Sequence, residues 1–597
     1  MFIAHCYRFA MTNPLSSLIL SMGRILLAAT LICLSACSPA TSISSDDGAY
    51  TQIVQGILSD PKTFNAVLSQ ESPNIFGFTY EGLITENPIT GEKEPALAES
   101  WEISADKLKI VFNLRPGLRW SDGHPLTAED VIFSYNQLYL NEEIPSNARD
   151  SLRVGQSRSL PTVRQRGQLQ VEFSISEPFA PFLGNTSLPI LPAHVLRQSV
   201  KEKDEDGNPV FLSKWGIDTP PEEIIVNGPY QLESYSTSER IIFKRNPYYR
   251  KKDAAGEQLP YIHRIVWQIV ESTDTSFLQF RSGSLDSLGV TPEYFSLLKR
   301  EEKRGKFTIY NGGPAYGSTF ISFNLNTGKR DGKPLVDPIK SRWFNNVKFR
   351  RAIAYNIDRQ RIINNIYRGL GQPQNSPISI QSPYYFQGLK GYEYNPEKGK
   401  QLLLESGFQY NEDNQLLDGD GNEVRFSLIT NAGNKIREAM GSQIQQDLAK
   451  IGIKVDFQPI AFNVLVDKLS NSLDWECNLL GLTGGNEPNY GASVWFPDGN
   501  LHMFNQKPRP GSTPIEGRKV SAWEKKIGEL YIEGARELDE EKRKEIYRET
   551  QSLTEEYLPF IYLVNSLSLG AVRDRIQVIE YSALGGAFWN VEELRIE

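Results

Sequence analysis

The sequence predicts an α/β protein, and three stretches carry that prediction. Leu108–Leu114 (LKIVFNL) sets Ile110, Phe112 and Leu114 at alternate positions, the pattern of a half-buried strand. Ile436, Met440, Ile444 and Leu448 recur every four residues, the stripe of an amphipathic helix, and the alternating Ile453, Val455 and Phe457 follow at once. Two Glu- and Lys-rich helical tracts, 523–535 and 539–557, run up to Pro559 and the apolar Phe560–Val564, which reads as a buried strand. Helix, stop and strand in succession lay down an α/β layer. No repeat of roughly 20–50 residues is visible, which argues against solenoids and propellers.

Each element has local support. After the first strand, Pro116-Gly117 and Ser121-Asp122-Gly123 are turn chemistry. Thr127 and Asp130 have capping-box spacing, so a helix is expected to start there and to run on through Val131, Phe133 and Tyr135. Gly452 follows the 436–448 stripe at a left-handed stop position. The charges of the two late helices are expected on a solvated face. Asp418-Gly-Asp420-Gly-Asn422 is similar to a calcium loop but lacks the glycine that follows the third ligand position, so a hairpin turn is the better reading.

The chain has 597 residues, 64 Lys plus Arg against 72 Asp plus Glu, and a net charge of −8. That acidic balance argues against a general nucleic-acid binder. Four cysteines and five histidines, none with ligand spacing, point to neither a disulfide framework nor a metal centre, and no cofactor is expected. Residues 1–36 hold Arg8 and Arg24, no acidic residue and the apolar run Ile25–Leu34, the make-up of a secretory signal. Leu34-Ser-Ala-Cys37 resembles the lipobox of bacterial lipoproteins, which implies cleavage before Cys37 and lipid on its sulfur. Translation starting at Met11 or Met22 would shorten the leader. Removal of 1–36 leaves 561 residues, a net charge of −10 and Cys477 as the one thiol besides Cys37. Residues 37–48 read as a flexible tether.

Several segments in order resemble the large extracytoplasmic solute-binding proteins of ABC transporters, the dipeptide, oligopeptide and nickel-binding class. The most specific runs from Pro95-Ala-Leu-Ala-Glu-Ser-Trp101 through Phe112-Asn-Leu-Arg-Pro-Gly117 and Trp120-Ser-Asp-Gly123 to Pro125-Leu-Thr-Ala-Glu-Asp-Val131. Others are Asp60–Asn65, Asn227-Gly-Pro-Tyr230 with Asn246–Tyr249, Gly283–Asp286, Phe349–Arg359 and Tyr394–Lys398 with Leu402–Gly407. The resemblance implies a two-lobed periplasmic-binding-protein fold, with a hinge and an extra subdomain on the first lobe. The expected division is 49–91, 206–311 and 559–597 for the first lobe, 92–205 for the subdomain and 312–558 for the second lobe. It implies a lipid-anchored, monomeric protein that captures a peptide or peptide-like solute and passes it to an ABC permease with its ATPase. Aromatic walls in such a cleft are one use for 26 Tyr, 29 Phe and 9 Trp.

The same resemblance places the site in the loop Gly481-Leu-Thr-Gly-Gly-Asn-Glu487. Gly481 and Thr483 fit the pattern, but Leu482 replaces the usual tryptophan. Gly485 stands where an acidic residue is expected to hold a peptide's α-ammonium. Glu487 is the candidate substitute, with a structural role as the alternative. Gly484 and Gly485 either admit a bulky ligand or form a tight turn. Asn486, Phe462, Tyr490, Trp495 and His502 are candidates for the cleft wall, and Asn65, Tyr230 and Asn324 for contacts from the first lobe and near the hinge. An anchored envelope hydrolase and a sensor uncoupled from transport are the competing functions. The chain shows no G-x-S-x-G, H-E-x-x-H or P-loop pattern.

Overall fold

A computed structural model describes residues 50–597, apart from 70–73, 147, 156, 271 and 509–512. The signal segment, Cys37 and the tether lie outside the described residues.

The first lobe is built on a sheet in which Gln52–Ile57 runs parallel to Arg264–Ile269, followed by antiparallel Arg240–Arg245 and Tyr230–Ser236. A second, wholly antiparallel sheet orders Ala98–Ile103, Lys109–Leu114, Gln170–Ser174 and Thr162–Gly167. Ile110, Phe112 and Leu114 all point into the core, as the alternation predicts. The Thr127 hydroxyl and the Asp130 carboxylate close a reciprocal cap on Ala128–Ile132. The helix then widens into a π-helical turn, Phe133–Tyr139, rather than continuing regularly. That turn buries Phe133, Tyr135, Leu138 and Tyr139 together. Both sheets share one continuous hydrophobic core, so the subdomain is an outgrowth of the first lobe.

The second lobe has its own core and a five-stranded sheet in the order Lys454–Ile460, Arg425–Asn431, Cys477–Leu482, Ser318–Phe323 and Ile561–Tyr562. Helix Lys435–Ala449 lies on that sheet with Met440, Ile444 and Leu448 buried. Gly452 takes φ +72°, and the Ile453 N–H returns to the Leu448 carbonyl at 3.1 Å, closing the helix before the next strand. Residues 560–564 pack in this core. Asp418 heads a tight turn, accepting the N–H groups of Asp420 and Asn422. In the Phe349–Arg359 segment, buried Arg359 donates to the carbonyls of Tyr562, Ala354 and Tyr392, tying three elements together. Most charges of the two late helices face solvent, but Glu524 and Arg543 are buried.

Two antiparallel strands cross between the lobes. Phe307–Pro314 pairs with Val564–Arg573 on the first-lobe side, and the chain reappears as Ser318–Phe323 beside Ile561–Tyr562. Between them, the Ala315 N–H reaches the Ser566 carbonyl at 2.8 Å and the Leu563 N–H reaches Thr319 at 2.9 Å. The Asn565 side chain donates to the carbonyls of Ala315 and Gly317, bracing the crossover.

Candidate functional site

The loop predicted to hold the site leaves strand Cys477–Leu482 beside this crossover, with Gly481 opposite Thr319 and Leu482 opposite Ser318. The two glycines differ. A Cβ on Gly484 would stand 2.0 Å from the Tyr316 carbonyl oxygen, so the close backbone approach requires glycine. A Cβ on Gly485 would meet nothing nearer than the Tyr490 ring at 3.6 Å, so the fold leaves room there for a side chain. Asn486 donates to Glu86 of the first lobe at 3.1 Å, and its carbonyl accepts from the Ser382 hydroxyl at 2.8 Å.

Glu487 is held within its own lobe. Its carboxylate takes the Arg543 guanidinium at 2.7 Å and the Asn489 N–H at 3.1 Å. Arg543 in turn lies over the Tyr384 ring, 4.9 Å from its centroid. Burial would lower the Arg543 pKa, but the Glu487 charge outweighs it and the guanidinium is pushed up. The structural alternative for Glu487 is therefore the one this geometry favours.

A cavity of about 190 Å³ opens beside the loop, walled by Tyr316, Thr483, Gly484, Gly485, Tyr490 and Trp495 among others. Trp495 is buried and stacks on Tyr531 at 5.9 Å, and both rings line this space. Tyr490 remains 45% exposed and also lines a larger cavity of about 320 Å³ between the subdomain and the second lobe. The lobes are closed there. Arg158 grips Asp498 at 2.9 Å, Asn500 reaches Asp150 at 3.1 Å and Arg536 reaches Glu177 at 2.6 Å.

On the other side of the strand pair lies a cavity of about 270 Å³ lined by Thr319, Tyr367, Asn434, Arg437 and Ser566 among others. Arg437 donates to the Asn431 side chain at 2.8 Å, and no carboxylate among the described residues pairs with it. Burial lowers its pKa, but a guanidinium stays charged at any working pH. Sequence reasoning passed over Arg437. The available signal was its place in the first turn of helix Lys435–Ala449, where the helix dipole disfavours a cation.

The remaining candidates correct the reading of the site. Asn65 is fully buried and holds the carbonyls of Phe211 and Lys214. Tyr230 is fully buried, with its hydroxyl on the Ile262 carbonyl. Asn324 ties down the carbonyls of Leu473 and Trp475. These three side chains serve the interior of their lobes, because a buried amide or hydroxyl needs such partners. His502 is likewise buried, between the Val494 carbonyl and Glu524. Phe462 is 50% exposed and opens helix Phe462–Asp467, outside the cavities above.

Two α/β lobes joined by a double-strand crossover, and closed over glycine- and aromatic-lined cavities, define a two-lobed solute-binding protein. The chain belongs to the bacterial extracellular solute-binding proteins, family 5, whose middle region matches residues 92–502. It is 33% identical over 542 residues to a probable ABC transporter-binding protein of Deinococcus radiodurans, covering 87% of this chain and 88% of that one. The oligopeptide-binding protein AppA of Bacillus subtilis, solved with a nonapeptide, superposes with a TM-score of 0.72 at 22% identity, covering 92% and 99% of the two chains. MelB of Agrobacterium fabrum, solved with stachyose, gives 0.75 at 20% identity, covering 92% and 85%. The protein is the solute-binding component of an ABC importer. Among the described residues no helix is long and apolar enough to cross a membrane.

Proposed function

We propose that the solute is a peptide or peptide-like molecule, received on the extracytoplasmic face and delivered to the permease and its ATPase by a protein anchored through lipid on Cys37. The observation that carries this reading is Arg437, a part-buried cation with no carboxylate partner among the described residues, set beside the Gly481 end of strand Cys477–Leu482, whose edge toward Arg425–Asn431 is paired only at Cys477 and Asn478. A peptide supplies both complements: a terminal carboxylate for the guanidinium and backbone donors and acceptors for the strand end. The peptide named in the AppA structure supports it, while stachyose in MelB shows that the fold alone does not choose the ligand. The two separate cores support lobe limits close to those expected from the sequence.

Native mass spectrometry of protein purified from the cell envelope identifies a co-purified ligand directly, and a peptide-free carbohydrate would refute the reading. Arg437→Met is expected to weaken binding of carboxylate-bearing peptides at least tenfold while the unliganded protein melts normally, because a hydrogen bond to a charged group contributes about 1.5–3 kcal/mol. Cys37→Ala is expected to block lipidation and maturation, and normal membrane anchoring of that variant would refute the lipid anchor.

A further inference from the structure

We propose that the solute site has a second compartment, the cavity of about 320 Å³ between the subdomain and the second lobe, and that it takes an uncharged apolar or aromatic side chain of the solute reaching past Tyr490. This rests on the peptide reading above and narrows it.

Tyr490 is the wall that this cavity shares with the one beside the glycine loop. It belongs to the short turn Pro488–Gly491, which lines the loop cavity through Pro488 and Gly491 and the larger one through Asn489. Its ring stands 3.6 Å from where a Cβ on Gly485 would lie. Its hydroxyl stands 2.5 Å from where a Cβ on Gly184 of the subdomain would lie. The ring thus fills the gap between two glycines, one on each side of the closed lobes. Its hydroxyl has no hydrogen-bond partner among the described residues, so packing alone holds it in place. Half-exposed side chains change rotamer quickly, and rotation of this one ring joins the two cavities.

The lining of the larger cavity selects the chemistry. Its ionisable groups balance in sign, Asp150, Asp498 and Glu529 against Arg153, Arg158 and Lys525. Arg158 holds Asp498 at 2.9 Å and Arg153 lies 3.5 Å from Asp150, so most of these charges are already matched. A charged group entering here would lose its water and find no net counter-charge. The rest of the wall is apolar: Phe179 from the subdomain, and Phe496, Pro497, Ile532 and Ala535 from the second lobe. A volume of about 320 Å³ lies in the range that holds a whole small ligand, so one aromatic side chain fits.

Because the walls come from both sides, a side chain placed here is enclosed only when the lobes close. Its burial therefore adds to the differential affinity that favours the closed state.

Five tetrapeptides test this by calorimetric titration of the full mature protein: tetra-alanine, and four in which tryptophan replaces each alanine in turn. At least one tryptophan peptide should bind tenfold or more tightly than tetra-alanine. Ile532→Trp fills the compartment from one wall, and Ser493→Leu fills it from another should the first variant fail to fold. Each should remove the tryptophan gain while the affinity for tetra-alanine stays within about twofold. A gain at no position, or one that survives in a folded, filled variant, would overturn this inference and leave the peptide reading standing. Binding by none of the five peptides would overturn both.

Discussion

The side-chain amide of Asn486, on the second lobe, donates to the Glu86 carboxylate of the first lobe at 3.1 Å, while Lys93 holds the other oxygen of Glu86. This bond joins the glycine loop to the opposite lobe, so it forms only when the lobes close. A solute shifts such an equilibrium by no more than its differential affinity for the closed state, and the protein's own contacts set the starting point. Asn486→Ala is expected to weaken solute binding about tenfold, at the low end for a hydrogen bond to a charged group. The unliganded melting temperature should hold. Small-angle scattering of the unliganded variant should show a more open average shape. An unchanged Kd would dispose of the idea.

Gly484 and Gly485 separate the two roles that adjacent glycines can have. Gly484→Ala drives a methyl group to 2.0 Å from the Tyr316 carbonyl, against backbone that cannot swing aside. We expect a loss of at least about 1–3 kcal/mol. Gly485→Ala meets only van der Waals contact and should be neutral, or stabilising by about 0.4–1 kcal/mol through the unfolded chain. Urea denaturation of both variants decides it, and equal effects would contradict the geometry.

How far the sequence could be read follows from the range of each interaction. Strand Lys109–Leu114, helix Lys435–Ala449 and the Thr127 cap were legible because periodicity and capping act over a few residues. The two-lobed architecture was legible only through the family's motifs. The role of Glu487 was not, since its partner Arg543 lies 56 residues on, in a helix whose composition reads as solvated. Asn65 and Asn324 sit in motif-matched or neighbouring segments, yet their partners are carbonyls about 150 residues away. Motif positions of that kind hold the interior of the lobes together.

Glu487→Gln should act on stability more than on binding. The change leaves the buried Arg543 guanidinium without its counter-charge, and breaking a buried pair in this way costs on the order of 3 kcal/mol. The expected signature is a lowered melting temperature with a near-wild-type Kd for whichever solute is bound. A variant of wild-type stability with weakened binding would instead return Glu487 to the ligand.

Glu524, on helix Ala522–Arg536, gives the protein an acid-sensitive joint. Its buried carboxylate takes Asn505 at 2.7 Å, the Ser521 N–H at 3.0 Å and His502 at 3.2 Å. Burial alone would raise its pKa, but the bonds from His502, Ser521 and Asn505 more than offset that and hold it below the ordinary glutamate range. A carboxyl whose pKa is depressed by folding adds stability that is fully present above its unfolded value of about 4.3. That contribution fades as pH falls through 4.3 toward the folded value, because the unfolded chain then binds the proton more readily. Glu524→Gln should therefore be less stable than wild type at pH 7, and the gap should narrow as the pH is lowered from 5 to about 3.5. Urea denaturation of both proteins across that range checks the sign. Parallel stability curves would mean that Glu524 titrates alike in the folded and unfolded chains.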